Sequence, residues 1–87
     1  KKAASNRAKH GVSFEEASAA FADAMAYIFD DETHAEEESR EILIGYSNKH
    51  RLLFVSFVER ADRRVRIISA RRADAEERRA YEENSRF

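Results

Sequence analysis

The middle of the sequence alternates between apolar, β-branched runs and short polar segments, and this alternation restricts the chain to few folds. Three runs are rich in residues that favour strands: Arg40 to Tyr46, Leu52 to Glu59 and Arg64 to Arg71. The segments between them, Ser47 to His50 and Arg60 to Arg63, are long enough only for tight turns. Strands connected by tight turns pair with their sequence neighbours, so the pattern predicts an antiparallel β-meander.

Helical signals precede this region. The segment Lys2 to His10 reads as a short helix that ends at Gly11, because glycine is the residue that most often closes a helix. Ser13 begins a second helix, since its hydroxyl can cap the first turn while the Glu16 side chain reaches back to it. Met25 to Phe29 then reads as a strand. Two helices and one further strand are therefore expected ahead of the meander.

A C-terminal helix is expected after the last strand. Asp74 and Glu77 repeat the capping pattern, and the helix should reach about Asn84. The central strand has apolar residues on both faces, so helices should cover one face and the terminal helix or a partner the other. The predicted fold class is α+β, with two N-terminal helices, a small antiparallel β-meander sheet and a C-terminal helix in one domain over residues 1–87.

Composition excludes several kinds of protein. The 87 residues are 43% hydrophobic and 38% charged, which is typical of one folded domain, and the absence of cysteine excludes disulfides and thiolate sites. The 16 basic and 17 acidic residues nearly cancel, so the overall charge does not favour nucleic-acid binding. Because no apolar run could span a membrane and no signal peptide is visible, we expect a cytoplasmic protein.

Neither a metal nor another cofactor is expected. The three histidines, His10, His34 and His50, are far apart in the sequence and have no spacing typical of metal ligands. A glycine-rich loop that could hold a nucleotide phosphate is also missing.

Arginines are concentrated in and after the predicted last strand, and guanidinium groups match the geometry of phosphate closely. In an ideal strand, alternation would place Arg66 and Arg71 on opposite faces, with Arg64 beside Arg66 and Ser69 beside Arg71. These arginines either bind phosphate or pair with the many nearby glutamates. The residue pattern alone leaves both interpretations open.

Three blocks of the sequence, extending over nearly the whole chain, resemble the BrnT-type toxins of bacterial type II toxin–antitoxin pairs. The first block is Lys2-Ala3-x-x-Asn6-x-x-Lys9-His10-Gly11-Val12-Ser13-Phe14-Glu15-Glu16-Ala17. The second consists of Glu38-x-Arg40-x-x-x-Ile44-Gly45 and Leu52-Leu53-x-Val55. The third is Arg66-Ile67-Ile68-Ser69-Ala70-Arg71-x-Ala73-x-x-x-Glu77-Arg78-x-x-Tyr81-Glu82.

The resemblance implies a RelE-like fold and a small ribonuclease that blocks translation by cutting RNA. It also implies a BrnA-type antitoxin as partner, which neutralises the toxin in a hetero-oligomer and represses the shared operon through its own DNA-binding part. Members of the family usually carry a short strand ahead of the position of Lys2. This N-terminal edge strand is expected to be missing here.

Cleavage of RNA without a metal needs a base for the 2′-hydroxyl, an acid for the leaving oxygen and cations for the phosphorane. The candidate catalytic residues are His10, Glu59, Arg66, Arg71 and Tyr81. The candidate RNA-binding residues are Lys9, Arg64, Ser69 and Arg72. The resemblance favours Arg66 and Arg71 as the leading phosphate binders, because both fall in its third block.

Each titratable candidate also has a structural interpretation. His10 is either an acid or base, or a helix-terminal residue that complements the macrodipole. Glu59 is either a base or an ion-pair partner of Arg64 or Arg66. Tyr81 either stacks on a nucleobase or donates a proton, or it packs at the edge of the core with its hydroxyl in water. The alternative for the whole chain is a degenerate toxin, a non-enzymatic module that binds an antitoxin or RNA through its basic sheet face.

Overall fold

A four-stranded antiparallel sheet with the strand order β1-β2-β3-β4 forms the centre of the molecule. The computed structural model describes residues 9–34, 39–62 and 64–84. Its strands are β1 (Tyr27–Asp30), β2 (Arg40–Tyr46), β3 (Leu52–Glu59) and β4 (Val65–Arg72). Helix α1 (Phe14–Ala20) precedes the sheet, a 3-10 turn (Glu32–His34) follows β1, and helix α2 (Ala75–Asn84) follows β4. Neither helix is long and apolar enough to cross a membrane.

The predicted meander is confirmed. The bounds of β2 and β3 are those expected from the sequence, and β4 is displaced by one residue. Strand β1 begins later than predicted, because Asp23 forms a turn. Its carboxylate accepts a hydrogen bond from the backbone N–H of Met25 at 2.9 Å, and its carbonyl oxygen accepts one from Ala26 at 3.0 Å. The predicted strand start at Met25 is thus occupied by the turn.

The prediction of two N-terminal helices is wrong for the described residues, in which α1 is the one helix ahead of the sheet. Most of the predicted first helix, Lys2 to His10, lies outside the described residues. Lys9 and His10 have helical backbone, and Gly11 then adopts a φ of 70°, a left-handed conformation that suits glycine. A terminating glycine shows where a helix would end, but it does not specify that a complete helix precedes it.

Helix α1 packs on one face of the sheet, which we call the α1 face. The apolar residues of this layer form one buried cluster: Val12, Ala17, Ala20, Leu43, Leu53, Val55, Phe57 and Ala70. Gly45 allows the end of α1 to come close, since a Cβ there would lie 3.1 Å from the carbonyl oxygen of Ala20. The interior of the domain therefore lies mainly between α1 and the sheet.

Helix α2 covers only part of the opposite face. Tyr81 is buried there with Ile44 and Leu52, and its ring meets that of Tyr46 edge-on at 5.4 Å. Its hydroxyl donates to the Asp23 carboxylate at 2.8 Å. The expectation that the terminal helix covers the second face is confirmed for the end of the sheet near Leu52. At the other end, no helix of the described residues covers the sheet.

An ion pair between a buried carboxylate and a partly exposed arginine fixes α1 to the turn between β2 and β3. Ser13 caps α1, since its hydroxyl accepts from the Glu16 backbone N–H at 3.0 Å. The Glu16 carboxylate does not complete the predicted capping box but accepts hydrogen bonds from Arg51 and from the Ser47 hydroxyl. Arg51 also donates to the Gly11 carbonyl oxygen at 3.0 Å. The hydrogen bond from Arg51, opposed by burial, lowers the pKa of Glu16 to about 2.

This lowered pKa predicts a loss of stability in acid. Glu16 should contribute about 3 kcal/mol at neutral pH, because its pKa falls from 4.5 in the unfolded chain to about 2 on folding. The contribution is complete above pH 4.5 and is lost as the pH falls toward 2. Urea denaturation of the parent and Glu16→Gln proteins at several pH values would measure it. Equal pH slopes for the two proteins in this interval would contradict the prediction.

Candidate functional site

A β-bulge in β4 determines which arginines lie together. Ser69 pairs with Ser56, whereas Ile67 pairs with Phe57, so Ile68 is an extra residue without an opposite partner. The bulge shifts the alternation of side chains by one residue. Arg66 opposite Val58 therefore lies on the same face as Ser69 and as Arg71 opposite Phe54. The expectation that Arg66 and Arg71 lie on opposite faces is wrong for this reason.

This face, which we call the groove face, carries an open groove of about 750 Å³ at the end that α2 leaves uncovered. Its apolar lining comes from Phe29, Ile42 and Phe54, and its polar lining from Arg40, Ser56 and Ser69. Residues 30–33, at the end of β1 and in the 3-10 turn, form a wall that carries three carboxylates. The groove is large enough for a nucleotide-sized ligand.

Arg71 is held firmly beside this groove. Its two terminal nitrogens donate to the two carboxylate oxygens of Glu77 at 2.9 and 2.8 Å. The guanidinium carbon lies 4.1 Å from the centre of the Phe54 ring. The hydrogen bonds to Glu77, opposed by burial, raise the pKa of Arg71. Glu77 also accepts from the Asp74 backbone N–H at 3.0 Å, so the capping box of α2 and the position of Arg71 depend on one carboxylate.

Arg66 has a different environment on the same face. Arg66 is exposed near the start of β4, two residues before the unpaired Ile68 and away from α2. Arg40 is the first residue of β2 and pairs with Val58 of β3. Arg66 of β4 pairs with the same Val58 from the other edge of β3. Val58 thus lies between two arginines of neighbouring strands. Sequence reasoning did not select Arg40, although it belongs to the second block of the family resemblance.

Other predicted site residues are not brought to the groove. Lys9 and His10 are exposed and directly precede Gly11. The carbonyl oxygen of Gly11 accepts a hydrogen bond from Arg51, just before the start of β3, whereas Val58 lies at the other end of that strand. Tyr81 belongs to α2 and is buried between this helix and the sheet. Its hydroxyl donates a hydrogen bond to Asp23, so it is not left in water as expected. It lies on the groove face but at the covered end of the sheet.

The remaining predicted residues lie on the α1 face or in the turn before β4. Glu59 pairs with Val65, and Arg72 pairs with Leu53 of the α1 face, so neither points to the groove. Burial raises the pKa of Glu41, and the neighbouring carboxylate of Glu59 adds to this effect. Arg64 forms an exposed ion pair with Asp62 at 3.4 Å. Of the two ion-pair partners suggested for Glu59, Arg64 thus pairs locally with Asp62. The other, Arg66, lies on the opposite face of the sheet from Glu59.

Metal-binding geometry is absent from the part of the chain that the structure describes. There, no three histidine, aspartate or glutamate side chains lie close enough together to hold a metal ion. The groove instead combines cations, hydroxyl groups and aromatic edges. Groups of these kinds bind phosphate, ribose and nucleobases respectively.

Comparison with protein families identifies the chain. Residues 1–77 match the family described as "Ribonuclease toxin, BrnT, of type II toxin-antitoxin system". No curated protein matches the chain. The matched region contains all four strands and extends to Glu77, so it includes the arginines of the groove face. The chain therefore belongs to the BrnT family of ribonuclease toxins, which act on RNA and are paired with an antitoxin protein in type II toxin–antitoxin systems.

Proposed function

We propose that this protein is an endoribonuclease that binds single-stranded RNA in the groove and cleaves it by attack of a 2′-hydroxyl, without a metal ion. The observation that carries this proposal is the bulge at Ile68, which brings Arg66 to the face that holds Ser69 and the groove. A strand without the bulge would direct Arg66 to the α1 face. Family membership supports RNA as the substrate.

Arg66 and Arg40 are the cations that hold the reacting phosphate in this proposal. They approach Val58 from the two neighbouring strands, so a phosphate above Val58 is within the span of both side chains. Guanidinium groups stabilise the additional negative charge of the phosphorane, which is greater than that of the ground-state phosphodiester. They therefore lower the barrier as well as bind the substrate.

The proton of the 2′-hydroxyl passes to a carboxylate of the groove wall in this mechanism. Asp31 and Glu32 belong to that wall. Asp31 is already engaged, since it accepts a hydrogen bond from the Thr33 hydroxyl at 2.6 Å. Glu32 is exposed and is the better candidate for the base. As the 2′-oxygen bonds to phosphorus, the bond from phosphorus to the 5′-oxygen breaks, and the leaving oxygen takes its proton from water. The roles predicted for His10 and Glu59 would require a substrate that reaches beyond the groove.

The partner in this proposal is a BrnA-type antitoxin that inhibits the toxin by covering the groove face. In the described part of the chain, α2 covers one end of this face, and the groove at the other end presents apolar residues beside arginines. An antitoxin segment with acidic and apolar side chains would match that surface and exclude RNA. The resulting hetero-oligomer would bind operator DNA through the antitoxin alone.

Analysis of the cleavage products tests the proposed mechanism. The purified chain should cut a short single-stranded RNA equally well with and without EDTA. The products should end in a 2′,3′-cyclic phosphate or its 3′-phosphate hydrolysis product, because the 2′-hydroxyl is the nucleophile. A 2′-deoxy substitution at the cut site should prevent cleavage. Products with a free 3′-hydroxyl, or activity that EDTA abolishes, would contradict the mechanism.

A second candidate is a degenerate toxin that binds without cutting. One observation favours it: the predicted acid or base residues His10 and Glu59 do not point to the groove. For such a protein, RNA stays intact in the same assay at every protein concentration, while the antitoxin still binds. The product analysis therefore separates the two candidates.

A further inference from the structure

Arg71 is poorly placed to act as a phosphate clamp. One terminal nitrogen donates to Glu77 and, at 3.3 Å, to the carbonyl oxygen of Arg72, while the other donates to the second oxygen of Glu77. These are the donors that a guanidinium group directs at an oxyanion in a two-pronged contact. Since Glu77 already occupies this position and balances the charge, a phosphate would have to displace an intramolecular carboxylate.

The planar faces of the same guanidinium group have a different environment. The guanidinium group lies over the Phe54 ring, with 4.1 Å between the guanidinium carbon and the ring centre. The hydrogen bonds to Glu77 fix the orientation of the plane. The side chain is still 38% exposed to solvent. An oriented plane supported on one side by an aromatic ring presents its other side for stacking.

We propose that Arg71 is a stacking platform for one nucleobase of single-stranded RNA, in a subsite next to the phosphate that Arg66 holds. This inference rests on the proposed function, because it assumes RNA in the groove. Nucleobases stack on arginine planes as they do on aromatic rings. Phe54 both lines the groove and supports Arg71, so the platform lies at its margin.

The two arginines of β4 then contribute to binding through different forces. Arg66 is exposed, and it acts through its charge. Its contribution should therefore depend on salt, because phosphate contacts release counterions. The charge of Arg71 is balanced by Glu77. The contribution of Arg71 to RNA binding should therefore depend on the nucleobase that stacks on it and only weakly on salt concentration. This difference can be measured.

The test uses Arg71→Lys and a set of short RNAs in which one base at a time is removed. Each RNA carries a single 2′-deoxy sugar at the cut site that the product analysis identifies, so it is bound but not cut. Lysine keeps the positive charge but has no plane. For the parent protein, removing the base at one position should weaken binding about 5- to 100-fold. Arg71→Lys should weaken binding of the intact RNA by a similar factor, and removal of that base should then have no further effect.

The salt dependence of the same affinities supplies the second measurement. The slope of log affinity against log salt concentration should be unchanged in Arg71→Lys. In Arg66→Ala the magnitude of this negative slope should decrease by about 0.7, the value for one phosphate contact on a single strand, while the effect of nucleobase removal persists. If Arg71→Lys keeps the sensitivity to base removal, Arg71 is not the platform and the proposal is overturned.

Asp74→Ala is the matched control for damage to α2. It removes the cap that accepts from the Glu77 backbone N–H at 2.8 Å but leaves the Glu77 carboxylate and Arg71 in place. Its RNA affinity should equal that of the parent, and thermal melts show that each variant is folded. A loss in Asp74→Ala equal to that in Arg71→Lys would assign the effect to α2 and overturn the proposal. Failure of the parent to bind any of the RNAs would instead contradict the proposed function.

Discussion

Replacing Arg51 with alanine is expected to lower the free energy of unfolding by about 1–3 kcal/mol, the cost of leaving the buried Glu16 carboxylate without its charged donor. The side chain of Glu16 is 1% exposed, and Arg51 is its charged partner across the connection between α1 and the β2–β3 turn. For a domain of this size, the melting temperature should fall by at least about 4 °C. Urea denaturation and calorimetry at neutral pH would measure the effect.

Two further variants test whether burial is the cause. Arg64→Ala removes an ion pair whose two side chains are 83% and 58% exposed, and it should cost less than about 1 kcal/mol. Adding Glu16→Gln to Arg51→Ala should restore part of the lost stability, because it removes the uncompensated charge. A loss of the same size in Arg64→Ala and Arg51→Ala would show that burial is not decisive.

Replacing Arg66 with alanine is expected to reduce the rate of RNA cleavage about 100- to 1000-fold, the effect of removing one group that stabilises charge in a transition state. The free energy of unfolding should change by less than about 0.5 kcal/mol, because the residue is exposed near the start of β4. Single-turnover cleavage of a short RNA, followed together with a thermal melt, would separate the two effects.

Arg72→Ala is the matched comparison, since it removes an exposed arginine from the same strand. Arg72 lies opposite Leu53 on the α1 face, although the sequence suggested it as an RNA contact. Its replacement should change the cleavage rate less than about threefold if the groove face is the site, as for most surface substitutions. Equal losses in Arg66→Ala and Arg72→Ala would place the site elsewhere.

The elements of the fold were predictable where local signals specify them. The bounds of β2 and β3 follow from β-branched runs that end at polar turns, and Asp74 with Glu77 marks the start of α2. Such signals act within a few residues, so they can be recognised in the sequence. The family could also be recognised, because its blocks extend over most of the chain and residues 1–77 match it.

Long-range partners were not predictable in the same way. Glu16 has the spacing of a capping-box residue, yet its carboxylate binds Arg51, which is 35 positions away. Asp23 likewise accepts a hydrogen bond from the hydroxyl of Tyr81, which is 58 positions away. A polar side chain that becomes buried takes whichever partner the fold brings close, and a sequence pattern does not state which one that is.

The sequence by itself determined the order of the strands, the capped helix α2, the toxin family and the concentration of arginines in β4. Only the tertiary structure decided which arginines share a face. The pairing of β4 with β3 leaves Ile68 as an extra residue. This single residue places the Arg66 side chain on the same face of the sheet as Ser69 and the groove. Side chains alternate strictly only in a regular strand, and a bulge is defined by the pairing of two strands rather than by the sequence of either one.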